Sequence, residues 1–165
     1  MRGARWGLGH SNDPRTAHAA RDFALFLLND GERPAARRAL TDVPKLDESA
    51  LGPTARQTLE DAAALAGISP AAQAEPLYRR AAESPDASVA GPALSALAAS
   101  RKAAGDLAGA PALYRRALEK AESLEGHQGP VVTLLVRTLA ATLRQAGRAS
   151  EAAALERQYP VSAGR

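Results

Sequence analysis

The chain has 165 residues and a net charge of +3, with forty alanines but only six valines, one isoleucine and six aromatic side chains, a balance that favours helix and excludes an extensive sheet. Without cysteine there are no disulfides, thiolate zinc ligands or cysteine nucleophiles. Eighteen arginines and three lysines stand against eighteen acids, too mild an excess to argue for nucleic acid.

From Met1 to His10 the chain carries two arginines and a tryptophan but no apolar run, so the start does not read as a secretion signal. No later stretch is long enough to span a bilayer, and the expected location is cytoplasmic. Pro14, Pro53, Pro92 and Pro130 then recur at intervals of 39, 39 and 38 residues, each ahead of an Ala/Leu-rich segment of helical length. Such a period is a mark of repeats, and proline in a first turn sacrifices no hydrogen bond. Gly31, Gly105 and Gly147 fall between paired apolar runs, where a helix must stop and turn. The pattern predicts eight helices, at 15–29, 34–43, 54–67, 71–84, 92–104, 107–124, 131–146 and 149–159. The connections Ser84–Ser88 and Glu125–Gly129 are short and polar, which predicts antiparallel neighbours.

Alanines recur in pairs twelve apart: Ala24 with Ala36, Ala62 with Ala74, Ala98 with Ala110, and Ala140 with Ala152. Phe23, Leu97 and Leu139 precede the first member, and Leu27, Leu65 and Leu143 follow it by three, giving one apolar face per unit. Tyr78 and Tyr114 lie four beyond the second member, where a large ring seats against small residues. Large apolar side chains make up only about a fifth of the chain, which suits a thin layer of closely approaching helices better than one thick core.

The segments Ala74-Glu75-Pro76-Leu77-Tyr78-Arg79-Arg80-Ala81 and Ala110-Pro111-Ala112-Leu113-Tyr114-Arg115-Arg116-Ala117-Leu118 resemble the second helix of tetratricopeptide repeats. The linkers Leu8-Gly9 with Pro14, Leu51-Gly52-Pro53-Thr54-Ala55, and Leu124 with Gly126-His127 and Pro130 are similar to those of the kinesin-light-chain-like bacterial subgroup. The resemblance implies an all-α, right-handed superhelical solenoid of about four helix pairs. A linker-like segment, 1–14, precedes units near 15–50, 51–90, 91–128 and 129–159, and a tail, 160–165, follows. The sequence departs from the pattern at Asp61, where an apolar residue is expected, at Arg101 in place of leucine, at Ser69 in place of the turn glycine, and at Glu156 in place of tyrosine. The chain opens as though inside a linker, which suggests a longer array or ends that pair with another molecule.

No phosphate loop, nucleophile elbow or dinucleotide fingerprint is present, and neighbouring acids such as Asp47-Glu48 and Glu60-Asp61 point apart on a helix. His10, His18 and His127 lack metal-ligand spacing; His127 reads as part of a linker. No enzyme, metal or cofactor is expected. The Arg-Arg pairs at 37/38, 79/80 and 115/116 read as solvated faces covering apolar surface with their stems. Trp6 reads as a partner anchor, as packed on the first helix, or as part of a disordered start.

The resemblance implies a scaffold or adaptor that holds a peptide or protein in a concave groove lined by the first helix of each pair. The expected lining comprises Arg21, Leu25, Leu28 and Arg56, then Lys102, Arg137, Ala141 and Arg144, with His18, Leu59, Ala63, Ser95, Ala99 and Leu134 beside them. Its five charged members, Arg21, Arg56, Lys102, Arg137 and Arg144, are all positive, which points to an acidic peptide or protein; the mild net charge and the alanines and leucines at the repeated places argue against nucleic acid, and no membrane partner is expected. A regulatory fragment of a larger signalling or transcription protein, and a helical-repeat RNA binder, are the competing readings.

Overall fold

Residues 14–160 are described by a computed structural model, and among them the alanine-rich sequence forms nine helices and no strand. They are α1 (Pro14–Asn29), α2 (Arg33–Leu40), α3 (Val43–Leu51), α4 (Arg56–Gly67), α5 (Ala71–Ala82), α6 (Ala87–Ala103), α7 (Ala110–Glu125), α8 (Pro130–Gln145) and α9 (Ala149–Gln158). The chain divides into two compact units, one ending at Ser69 and one beginning at Pro70. In the first, α1 packs on α2 and α3, and α3 packs on α4. In the second, α5 to α9 each pack on their neighbour in the chain. The division falls between the two helices of the second expected pair.

The turn glycines are placed as their spacing predicts. Gly31, Gly105 and Gly147 take φ of 80°, 84° and 75°, the left-handed conformation that glycine adopts without a Cβ clash. Each closes the same motif, with Glu32 N–H donating to Leu27 O, Asp106 N–H to Arg101 O, and Arg148 N–H to Leu143 O, at 2.8–2.9 Å. These six-to-one bonds satisfy carbonyls left over at a helix end. All three acceptors lie three residues after the first alanine of their pair. In the odd unit the end of α4 is tighter, with Ile68 N–H to Leu65 O and Ser69 Oγ donating to the same carbonyl.

The prolines are less uniform than their spacing suggests. Pro14 and Pro130 open α1 and α8, but Pro53 precedes α4 by three residues, and Pro92 lies inside α6. That helix starts earlier than predicted because Asp86 caps it, its carboxylate accepting from Ser88 N–H at 2.9 Å. Gly91 is therefore a buried helical residue and not part of a linker; a Cβ there would meet Lys120 Cβ at 3.4 Å, so the glycine lets α6 approach α7 closely. Helix α3 is likewise absent from the predicted set. Thr41 Oγ1 caps the end of α2 on Arg37 O, and Pro44 then starts a new helix with Val43, Pro44 and Asp47 buried.

All eight paired alanines are buried, seven of them fully enough that a larger side chain has no room without movement. Around them Leu94, Val132, Val136, Leu139 and Leu143 fill the second unit, each contributing about 1.5–3 kcal/mol by burial. Tyr114 is buried as expected and Tyr78 half-buried. Phe23 departs from the expected apolar face: α1 turns Ala17, Arg21 and Ala24 inward, and Phe23 is 45% exposed.

Candidate functional site

The fourteen expected lining residues divide between the two units and do not share one environment. In the first unit Arg21 is half-buried and paired. Its Nε and one terminal nitrogen grip both oxygens of Asp61 at 2.7 and 2.6 Å, and that same nitrogen donates to Asp47 Oδ2 at 2.9 Å. Both aspartates are buried, 2% exposed, and they arrive from α3 and α4. Arg21 thus ties α1 to the two helices behind it, in the fork geometry that suits guanidinium and carboxylate. Burial pushes Asp47 up to about 6, the hydrogen bond and charge of Asp61 adding to it and Arg21 opposing. Leu59 is also core, 3% exposed, and Leu28 and Ala63 are half-buried. Leu25 remains exposed, and Arg56 is exposed with its Nε on Glu60 Oε1 at 2.6 Å.

In the second unit the expected lining does reach the surface. On α8 Leu134, Arg137, Ala141 and Arg144 are all exposed and recur in steps of three, four and three, one stripe of the helix. Leu134 is 62% exposed, whereas Val132, Leu135, Val136, Leu139, Ala140 and Leu143 on the other side are core. Ser95, Ala99 and Lys102 form a comparable stripe on α6, exposed at Ala99 and half-buried at the other two. Arg144 is joined to Glu156 of α9 at 2.5 Å, so the stripe is less one-sided in charge than its own residues suggest. Glu60 is readable from sequence as the i+4 partner of Arg56; Glu156 is not, since only the packing of α9 on α8 brings it there.

Three arginines of the Arg-Arg pairs meet acids within the chain. Arg79 donates to Glu75 at 2.6 Å, Arg115 to Glu151 at 2.7 Å, and Arg116 lies 4.0 Å from Glu83. Arg148 also holds Glu151 through two bonds, and the two arginines together draw the carboxyl down to about 2. Arg101, at the expected leucine position, instead links Glu75 of α5 to Asp106 of the following turn.

Among the described residues no three His, Asp or Glu side chains are grouped to hold a metal ion, and no helix is long and apolar enough to cross a membrane. Trp6, His10 and the Leu8-Gly9 linker lie outside the described residues, as does the tail beyond Pro160. No protein-family model matches the chain, and comparison with curated proteins returns no match.

Proposed function

We propose that this protein is a tetratricopeptide-like scaffold that docks an acidic peptide or protein segment, and that the second unit carries the contact surface on α8. The observation that carries this reading is the α8 stripe: a large apolar side chain, Leu134, stands in water on a helix whose opposite side is core, with Arg137 and Arg144 along the same line. Exposed apolar surface beside arginine is what a partner buries, and arginine there selects carboxylates and speeds encounter. Support for the family comes from the three repeated glycine turns and the buried alanine pairs, which follow the register in which the sequence resembles these repeats. A right-handed superhelix, a cytoplasmic setting and the absence of enzymatic activity belong to this proposal.

The test is binding of peptide arrays graded in net charge to the full chain. Retention should favour acidic peptides and weaken as salt rises, because exposed charges are screened over about 8–10 Å at ordinary ionic strength. Arg137→Glu with Arg144→Glu should abolish retention while the helical spectrum is unchanged, and Arg79→Glu with Arg80→Glu should do little. The reverse ranking would move the contact surface to α5. Salt-sensitive capture of RNA in place of acidic peptides would replace the reading altogether.

A further inference from the structure

His127 sits in the connection between α7 and α8 and reaches the far end of α9. Its Nδ1 is 2.7 Å from Glu122 Oε1 and its Nε2 is 3.1 Å from the Gln158 carbonyl oxygen. Its ring stacks on Tyr159 with centroids 4.2 Å apart and planes 22° from parallel. Tyr159 is 7% exposed, and its N–H closes the last turn of α9 on Leu155 O at 3.0 Å. Beneath this contact a cleft of about 230 Å³ is lined by Gln128, Val132, Thr133, Val136 and Pro160 along with the two rings.

A carboxylate and a main-chain carbonyl can only accept hydrogen bonds, so both ring nitrogens must donate at once. A neutral imidazole carries one N–H and serves one of the two; imidazolium serves both. We propose that His127 is a proton-operated clasp, which when charged pins the end of α9 to the α7–α8 connection and when neutral must release either Glu122 or Gln158.

Its surroundings favour the charged form. Glu122 of α7 is the ionisable group bonded to the ring, the carbonyl it meets belongs to the negative end of α9, and Val132, Thr133 and Val136 of α8 bring no charge. Tyr159 does not compete: burial, then the hydrogen bond and charge of Glu122, push its phenol up to about 12, with Glu119 adding to the effect. The Gln158 carbonyl and Glu122 both hold the His127 imidazolium above its ordinary range. A folded-state value raised in this way stabilises fully below the ordinary histidine pKa and is lost as pH rises through the folded one. Release therefore comes on the alkaline side of neutral histidine titration. It frees the turn at Gln158–Tyr159 over the apolar cleft floor, in place of melting a whole helix.

The test is nuclear magnetic resonance of the full chain across the histidine range, with His127 assigned by comparison with His127→Gln. Its imidazole should titrate above an ordinary histidine, and the Tyr159 amide should move with the same midpoint. Corrected for intrinsic chemistry, exchange protection of the Tyr159 amide should fall severalfold as His127 deprotonates, each unit of raised midpoint corresponding to tenfold in the closed-to-open ratio. Glu122→Gln should lower the midpoint and reduce the fall. His127→Phe, which keeps a stacked ring without donors, should hold Tyr159 at the deprotonated level at every pH. Titration at or below the ordinary value, protection that does not change across the midpoint, or full protection in His127→Phe would each overturn the clasp, the last by assigning the hold to stacking.

Discussion

Two charged triads, one in each unit, are built from opposite ratios. In the first unit one cation, Arg21, lies between two buried acids, Asp47 and Asp61. In the second one acid, Glu151, lies between two cations, Arg115 and Arg148, with all three side chains 35–43% exposed. The first has an excess negative charge away from water and resolves it by lifting Asp47 to about 6; the second has excess positive charge in contact with water and drops Glu151 to about 2. Arginine and carboxylate therefore give opposite dependences on pH in the two triads. Burial, reinforced by the second acid, raises Asp47, whereas the hydrogen bonds of two arginines near water lower Glu151.

The sharpest way to break the first triad is to remove its cation. Arg21→Leu leaves two buried carboxyl groups facing each other and should cost about 3–5 kcal/mol, read as loss of hydrogen-exchange protection in α1, α3 and α4. An Arg21→Leu protein as protected as wild type would mean that the buried acids do not depend on the guanidinium.

The next effect is in pH. The proton held by Asp47 stabilises the folded unit fully below its ordinary value near 3.8, and this contribution disappears as pH rises through about 6. The difference amounts to at most ~3 kcal/mol at one unit per 1.36 kcal/mol. In Asp47→Asn the first unit should lose that slope between pH 4 and 7, as measured by denaturant unfolding against wild type at each pH; parallel curves would place the proton elsewhere.

Packing supplies a comparison free of charge. Ala24 in α1 and Ala110 in α7 are both fully buried, and Ala24→Leu and Ala110→Leu should each cost about 1–3 kcal/mol by overpacking. Thermal melting that leaves one of them at the wild-type midpoint would show that the alanine register governs only the other unit.

The smallest effect belongs to the exposed triad. Glu151→Gln should lower the melting temperature slightly at neutral pH, and the deficit should shrink with added salt and as pH falls from the ordinary glutamate range toward about 2. A deficit as large as that of Arg21→Leu would place this triad in the same class as the buried one.

The sequence by itself determined the helical class, the glycine turns and the inward position of the alanine pairs, because these rest on local chemistry: propensity, positive φ and small size repeated at fixed intervals. Proline spacing misled where a cap or a buried stripe was stronger, at Asp86 ahead of Pro92 and at Val43-Pro44-Asp47, which forms a helix the period leaves out. Asp61 stood out in the sequence as a break in the apolar pattern, but its reason was invisible there. Only the tertiary structure brings Asp47, fourteen residues earlier, and Arg21, forty residues earlier, to the same point, and so makes an expected groove cation the half-buried partner of two core acids. The same holds for Glu156 beside Arg144 and for His127 between Glu122 and Gln158. A charge's partner lies on another helix, and which acid it meets, and how far from water, is decided by packing and not by spacing along the chain.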